Sequence, residues 1–578
     1  MTTPRPEHPR PQFYRKDWLS LNGTWKFAFD RGNSGEERGF FEGKEPFEHA
    51  ILVPFAPEAE LSGIGYTDFM SSVWYRRSVI LSADQLSQRV FLHFGAVDYR
   101  CTVAVNGIPC GTHTGGYSSF CFDISEQLRE GENWIVVHAE DDVRSGKQAR
   151  GKQSKSFFSA VCDYTRTTGI WQSVWLEFVP QTRIEKAFVT ADAATGNASF
   201  RIDIKNAGDN CTLQTELFYE GTKKAERTIC VHEGSNQFEI QIDSPELWSA
   251  GDGRLYDIRY MLLLDGKSVD QVESYFGFRT VSIEKSALCI NGEIVFQRLV
   301  LDQGFYPQGI YTAKDEEELK RDIELSMSLG FNGARLHEKV FEERYLYWAD
   351  KLGYLVWGEY ANWGLDISQF DILADVIPEW IEVVERDFNH PSIIGWCPFN
   401  ETWDYEHKRQ DNRILSMIYN VTKVLDSSRP VIDTSGNYHV KTDVYDIHDY
   451  EQDVGVFAEN YGRFDEGAVY ERYTDRQKYE GQPYFVSEYG GMWWAPGQEG
   501  GWGYGKAPES EGEVIERYVG LTAALMDNPS ICAFCYTQLY DVEQEQNGLY
   551  TYGREKKFSE KSYEKIRTQN QKKAAIER

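Results

Sequence analysis

Positive charge is in short supply. Against 90 Asp and Glu the chain sets only 61 Lys and Arg, a net of −29 at pH 7, and a surface that acidic repels phosphate backbones and anionic lipid headgroups. Nucleic acid is therefore excluded as an expected partner. Long apolar runs are also missing. No stretch approaches the ~18 uninterrupted apolar residues of a membrane-spanning helix, and the opening Met1-Thr-Thr-Pro-Arg-Pro-Glu-His-Pro-Arg lacks the apolar core of a signal peptide. The expectation is a soluble, cytoplasmic protein with no membrane partner. Cysteine is sparse, ten in 578 residues and mostly flanked by apolar side chains, which rules out a disulfide scaffold. The C-x-x-C from Cys532 to Cys535 lies in the strand-like Ile-Cys-Ala-Phe-Cys-Tyr, with no second pair to complete a zinc site. No ligand cluster is specific enough to predict a metal, and no cofactor is expected.

Aromatic residues, by contrast, reach 14% of the chain, more than ordinary cores require, and rings stacking on the apolar faces of sugars are one use for such an excess. At ~150 residues per domain the length makes roughly three or four folding units. From Trp25 to about Pro180, short alternating runs such as Trp25-Lys-Phe-Ala-Phe and Val73-Trp-Tyr-Arg-Arg-Ser-Val-Ile, with an Asn106-Gly107 turn, predict an all-β sandwich over 1–180. Similar strands over 181–282 fit a second, immunoglobulin-like sandwich.

Beyond about Ile283, apolar runs of four to six alternate with amphipathic stretches of ten or more, the signature of a parallel sheet with crossover helices. Eight candidate strands (Ile294 to Leu301, Asn332 to His337, Tyr354 to Glu359, Ser392 to Phe399, Pro430 to Thr434, Val444 to His448, Tyr484 to Ser487 and Ile531 to Tyr536) predict an α/β barrel over 283–578. Chemistry in such barrels sits where strands end, which turns attention to strand-terminal polar residues, His448 and Tyr536 among them. Two ends stand out. The run Ser392-Ile-Ile-Gly-Trp-Cys-Pro-Phe closes on Asn400-Glu401-Thr402-Trp403, and Pro483-Tyr-Phe-Val-Ser closes on Glu488-Tyr489-Gly490-Gly491. Two carboxylates facing each other across a barrel mouth can divide glycoside hydrolysis between them. One protonates the leaving oxygen while the other attacks the anomeric carbon, and a retaining enzyme needs them about 5 Å apart.

Asn400-Glu401 after Gly395-Trp396, the Ser487-Glu488-Tyr489-Gly490 strand end, Phe331-Asn-Gly-Ala-Arg335-Leu-His337 and Arg386-Asp-Phe-Asn-His-Pro-Ser392 together resemble glycoside hydrolase family 2, the group of β-galactosidases and β-glucuronidases. Leu21-Asn-Gly-Thr-Trp-Lys-Phe, Val53-Pro54, Trp74-Tyr75-Arg76 and Gly169-Ile-Trp-Gln-Ser-Val-Trp-Leu are similar to that family's jelly-roll sugar-binding domain. The resemblance covers nearly the whole chain. It implies a jelly roll, an immunoglobulin-like domain and a TIM barrel, and a retaining, exo-acting mechanism with Glu401 as acid/base and Glu488 as nucleophile. It further implies that Asn400 holds the sugar 2-hydroxyl, that Asp163 enters the barrel mouth from the first domain, and that Arg335 and His337 line the pocket. A turn aspartate and a barrel-layer ion pair stay open as the plainer readings of Asp163 and of Arg335 with His337.

Departures from the family bear on the sugar. Where β-glucuronidases carry Arg-His after the first barrel strand, this chain reads Asp302-Gln303, and in place of their Asn-x-Lys it reads Glu545-Gln546-Asn547. A uronic carboxylate buried without a cation is costly, so both losses point to a neutral sugar, with Lys556 and Lys557 the residues that would upset this reading. The Gly490 to Tyr504 loop, with Trp494, is expected either to wall the subsites or to anchor itself on the barrel. The polar Asp541-Val-Glu543-Gln-Glu545-Gln-Asn547 is expected either to bind hydroxyls or to make an ordinary turn. The partner is a small oligosaccharide or glycoside, and the activity is β-galactosidase-like. A furanosidase acting on β-galactofuranosides or α-L-arabinofuranosides is the alternative, and a β-glucuronidase or a non-catalytic carbohydrate-binding protein ranks below it. Large β domains offer surface for a homo-oligomer, but no stretch identifies an interface.

Overall fold

The computed structural model describes residues 3–44, 46–404, 408–462, 469–498 and 500–578. The first unit is a jelly-roll sandwich of a four-stranded and a six-stranded antiparallel sheet. Its longest ladder pairs Ser72–Leu81 with Gly131–Glu140 over ten residues. Alternation in these strands sends Trp25, Phe27, Tyr75, Leu92, Val137 and Leu176 into one core. The Asn-Gly turn forms as expected: Asn106 and Gly107 have φ of 53° and 82°, the positive pair that a tight hairpin between right-twisted strands requires. The second unit packs a three-stranded against a four-stranded sheet, an immunoglobulin-like count, around Phe200, Leu213 and Tyr260.

The third unit is the barrel. Strands Gln297–Asp302, Gly333–Leu336, Leu355–Glu359, Ile393–Cys397, Tyr445–Asp449, Tyr484–Gly490 and Ile531–Thr537 form one parallel sheet in which the last pairs with the first. The expected fifth strand takes its place between Ile393–Cys397 and Tyr445–Asp449 only as parallel bridges, Trp396 to Val431 and Asn400 to Ser435. Its backbone is diverted to side chains: Pro430 has no N–H, and the Val431 amide bonds the Asp443 carboxylate at 3.0 Å. Helices lie between most strands. That at Glu316–Ser328 starts on an Asp315 cap that accepts from the Glu318 amide, and Glu343–Leu352 stops at Gly353 with φ 68°. Among the described residues no helix is long and apolar enough to cross a membrane.

One connection of the first sandwich matters most for function. The long loop between Gly131–Glu140 and Gly169–Ile170 leaves its own domain and lies on the barrel mouth, where the amides of Arg150 and Gly151 bond the carbonyls of Trp363 at 2.7 Å and Ala361 at 3.1 Å. Gly151 has φ 56°, and a Cβ there would lie 2.2 Å from the Glu338 carbonyl oxygen, so only glycine permits this approach.

Candidate active site

The fourth barrel strand, all buried, runs on through Pro398 and Phe399 to Asn400. Glu401 then adopts φ 48°, an unfavourable conformation for a side-chain-bearing residue. It is held there by its amide on the Ser435 carbonyl at 2.9 Å and by the Thr402 amide on Asn437 Oδ1 at 3.0 Å. The seventh strand, Tyr484–Gly490, is buried throughout and presents Glu488 near its end. An oxygen of Glu401, an oxygen of Glu488 and a ring nitrogen of His448 all lie within 4.8 Å of one another.

Arg335, at the end of the second strand and 1% exposed, organises this centre from below. Its Nε bonds Glu359 Oε1 at 2.6 Å, Nη1 bonds Glu488 Oε1 at 3.1 Å and Nη2 bonds Asn400 Oδ1 at 3.1 Å. Burial of the guanidinium is thereby offset by two carboxylates and a carbonyl. With its Oδ1 so engaged, Asn400 keeps a buried Nδ2 without a protein partner, a donor reserved for a ligand. His337 sits 3.2 Å from Glu359 Oε2 and 3.9 Å from Glu488 Oε1; burial, then Lys152, hold its pKa well below the ordinary value, which keeps the ring neutral.

His448 lies directly beneath the pair. Its Nδ1 is 2.8 Å from Glu401 Oε1 and 3.4 Å from Glu488 Oε2. The ring lies over Gly436, where a Cβ would fall 2.5 Å from the imidazole. Burial alone would raise the Glu401 pKa, but the hydrogen bond and charge of His448 outweigh it and, with Lys152, hold it down to about 2. His448 is correspondingly raised: burial disfavours its charge, and Glu488 and Glu401 more than restore it.

Two residues that sequence reasoning missed complete the centre. The Tyr450 hydroxyl donates to Glu488 Oε2 at 2.5 Å and its ring stacks on Tyr504 with centroids 3.3 Å apart. Tyr450 stands two residues beyond the sixth strand's candidate, His448, and the strand-end rule would have reached it had the search run past the last apolar position. Lys152, carried by the first-domain loop, is 5% exposed; its carbonyl accepts from the Tyr164 amide at 2.7 Å, while its ammonium lies 3.5 Å over the Trp363 ring and has no hydrogen-bond partner among the described residues. Its pKa is raised because Cys162, Glu401, Glu338 and Glu488 together outweigh burial. Nothing in the local text of Gly151-Lys152-Gln153 marks it.

Other candidates are placed elsewhere. Asp302 is 1% exposed and both its oxygens are occupied, by the Gly304 amide and Tyr540 hydroxyl on one and by the Tyr345 hydroxyl on the other; it belongs to the barrel wall. Tyr536 is 1% exposed and wedged against Gly490, Tyr489 and Tyr518, a packing role. Glu543 accepts the Thr165 amide at 3.0 Å, and Asn547 is spent between Gln538 and Glu545, while Glu545 takes the Tyr164 hydroxyl at 2.5 Å. The 541–547 segment thus fastens the first-domain loop to the barrel. Asp163 pairs with Arg150 at 3.1 Å and is 21% exposed. Trp494 is half-buried, its amide on the Gln546 carbonyl at 3.0 Å, so the aromatic loop is zipped to the same segment; Glu499 of that loop lies outside the described residues. Lys557 is bound to Asp541 at 2.6 Å and is 3% exposed.

Three family models match along the chain: "Glycosyl hydrolases family 2, sugar binding domain" over residues 18–180, "Glycosyl hydrolases family 2" over 182–279 and "Glycosyl hydrolases family 2, TIM barrel domain" over 281–523. Among curated relatives, a β-galactosidase of Thermoanaerobacter pseudethanolicus is 26% identical over 72% of this chain and 54% of that protein. The β-glucuronidase of Homo sapiens is 26% identical over 72% of this chain and 68% of that protein. The chain spans about half the length of the bacterial curated relatives it matches. Among solved structures, a β-glucuronidase of an uncultured Clostridium superposes with a TM-score of 0.79 at 22% identity, covering 97% of this chain and 99% of that one. A Ruminococcus gnavus β-glucuronidase in complex with D-glucuronic acid gives 0.79 at 19%, with the same coverage. At these identities the two structures speak to the fold.

Proposed function

The chain belongs to glycosyl hydrolase family 2, and from that premise we propose that it is a retaining exo-glycosidase in which Glu488 is the nucleophile and Glu401 the acid/base. One observation carries the reading: the 4.8 Å limit on the separation of their oxygens matches the short spacing of a double displacement and leaves no room for the water that an inverting enzyme places between its carboxylates. Glu488 attacks the anomeric carbon as the glycosidic bond breaks, and the departing oxygen takes a proton from Glu401. Water then enters, gives its proton back to Glu401 and releases the sugar with retained configuration. Arg335 and Tyr450 hold and aim Glu488, and the free Asn400 amide faces the place where a 2-hydroxyl would bond more strongly as positive charge develops on the ring.

For the sugar, a neutral, galacto-configured ring is the first reading, supported by the loss of Lys557 to Asp541. A β-glucuronide is the second, favoured by Lys152, whose unpaired ammonium would meet a uronic carboxylate. A furanoside, the alternative raised by the sequence, falls to third, with no contact that selects it. A panel of aryl pyranosides and furanosides in both anomeric series decides among them, and azide added to Glu401→Ala and Glu488→Ala tests the roles. Retained configuration from the first and inverted from the second is expected; the opposite pattern would exchange the assignments.

A further inference from the structure

His448 faces only acceptors. Its Nε2 lies 3.1 Å from Ser435 Oγ, and the single hydrogen of that hydroxyl is directed at Asp446 Oδ2, 2.6 Å away, so the serine accepts from the ring. On the other side Nδ1 meets Glu401 Oε1 at 2.8 Å and Glu488 Oε2 at 3.4 Å, both carboxylates. With an acceptor within reach of each nitrogen, the ring has a partner for a proton on both, the arrangement that suits an imidazolium. An acid in glycoside hydrolysis needs to hold a proton near neutral pH, yet Glu401, taken alone, is pressed down by this same imidazolium.

We propose that His448 is a positioning residue that stores the proton Glu401 delivers, the two acting as one proton-carrying unit. The inference rests on the assignment of Glu401 as acid/base. In the free enzyme the proton sits on His448 Nδ1 and both glutamates are ionised, a net charge of −1. As Glu488 bonds to the anomeric carbon, Nδ1 passes its proton to Glu401, and the glycosidic oxygen, which receives the electron pair of the breaking bond, takes that proton from Glu401. Glu488 is then a neutral ester, His448 a neutral imidazole and Glu401 an anion, again −1. Loss of the Glu488 charge removes one of the two anions that held the proton on the ring, so nucleophilic attack and proton release are coupled electrostatically. In the second half the proton of the attacking water passes to Glu401 and back to Nδ1 as Glu488 departs from the sugar as a carboxylate.

The charged and titratable groups around the ring agree with this. Glu401 and Glu488 face Nδ1 from the fourth and seventh strands. Asp446 stands behind Ser435 and is itself held by His439 at 3.1 Å. Arg335 opposes the imidazolium charge from the second strand, Lys152 acts on Glu401 from the first domain, and Arg472 is bound to the His448 backbone carbonyl, away from the ring. Among these only His448 joins the two carboxylates.

Two measurements on the full chain test the proposal. In a pH profile of kcat/KM with a substrate whose leaving group needs a proton, His448→Asn is expected to move the basic limb at least about one pH unit toward acid, a tenfold loss above it, while the basic limb measured with a dinitrophenyl glycoside, whose leaving group needs no proton, is expected to keep its position. Independently of substrate, 15N NMR of histidine-labelled protein is expected to show the signal missing from His448→Asn as an imidazolium at neutral pH, and to show its titration midpoint fall about one unit or more in Glu488→Gln. An unmoved basic limb on the substrate that needs a proton, a neutral resting ring, an unchanged midpoint, or activity that requires an added divalent cation would each overturn it. If azide instead failed to restore Glu401→Ala on the dinitrophenyl substrate, the role of Glu401 itself would fall, a distinct result.

Discussion

Glu401 and Glu488 follow or end buried strands at the mouth of one barrel, yet they differ in whether the donors around them titrate. Glu488 is 4% exposed and set against the guanidinium of Arg335 and the hydroxyl of Tyr450, neither of which loses its proton near neutral pH. Glu401 is 16% exposed and leans on His448, the kind of donor whose charge changes between pH 5 and 8. The carboxylate proposed to attack carbon sits among donors that keep their protons; the one proposed to pass a proton in both directions has a neighbour able to hold it. Strand position makes the two residues alike, and their neighbours make them different.

The largest expected effect breaks the comparison outright. Glu488→Gln should lower kcat/KM at least about 10⁴-fold on every leaving group. Glu401→Gln should lose about 10²- to 10⁴-fold only where the leaving group needs a proton. Steady-state rates on matched phenyl and dinitrophenyl glycosides check this, and losses of equal size on both substrates for both variants would erase the distinction.

Tyr450→Phe sharpens it. Removing a hydrogen bond to a charged group costs about 1.5–3 kcal/mol, or roughly 10- to 150-fold in rate, and the pH limbs should stay where they are because the phenol is pushed well above its ordinary value by burial and by Glu488. A displaced limb would move Tyr450 to the proton-carrying side. Lys152→Met should have a smaller effect: the glucuronide-to-galactoside ratio of kcat/KM should fall about tenfold, the size of one charge-assisted hydrogen bond. A constant ratio would leave the ammonium with only its place over Trp363.

The last effect concerns stability, not rate, behind the Glu401 side. Burial opposes charge on His439, but Asp433 and Asp446 raise it from 6.5 to about 10. With the folded value above the ordinary one, the stabilisation is complete below pH 6.5 and drains as pH rises toward about 10. Thermal unfolding should show Tm falling across that interval, with the fall flattened in His439→Gln; parallel curves would place the pH dependence elsewhere.

Where a residue's place follows from strand position alone, the text was legible. Buried runs closing on Asn400-Glu401 and Glu488, and Arg335 to His337 on the second strand, led to one centre because a parallel barrel sends all its strand ends to one mouth. Direction was not legible. Asp302, Tyr536, Glu543 and Asn547 are polar residues at or beyond strand ends, but each is claimed by a partner outside its own run, Tyr345, Tyr518, Thr165 and Gln538, that no local pattern announces. His448, a strand-end candidate from the text, lies under the two glutamates, a placement its neighbours in sequence do not announce. Lys152 was invisible for a different reason, since its position depends on how one domain lies on another. The absence of lysine in two barrel loops was sound as read, but it did not cover a cation arriving from the sandwich.

That arrival has a consequence for how such a molecule changes over time. The side chains proposed to break the bond all ride on barrel strands and their ends, whereas Lys152 rides on a sandwich loop attached to the barrel by the amides of Arg150 and Gly151. Insertions, deletions and substitutions in that loop can alter what the pocket meets while the bond-breaking set is inherited intact. A change at Lys152 can thus alter what the pocket meets without a change in the barrel strands, while Gly151 and the contacts of the 541–547 segment hold the rest of the loop in place.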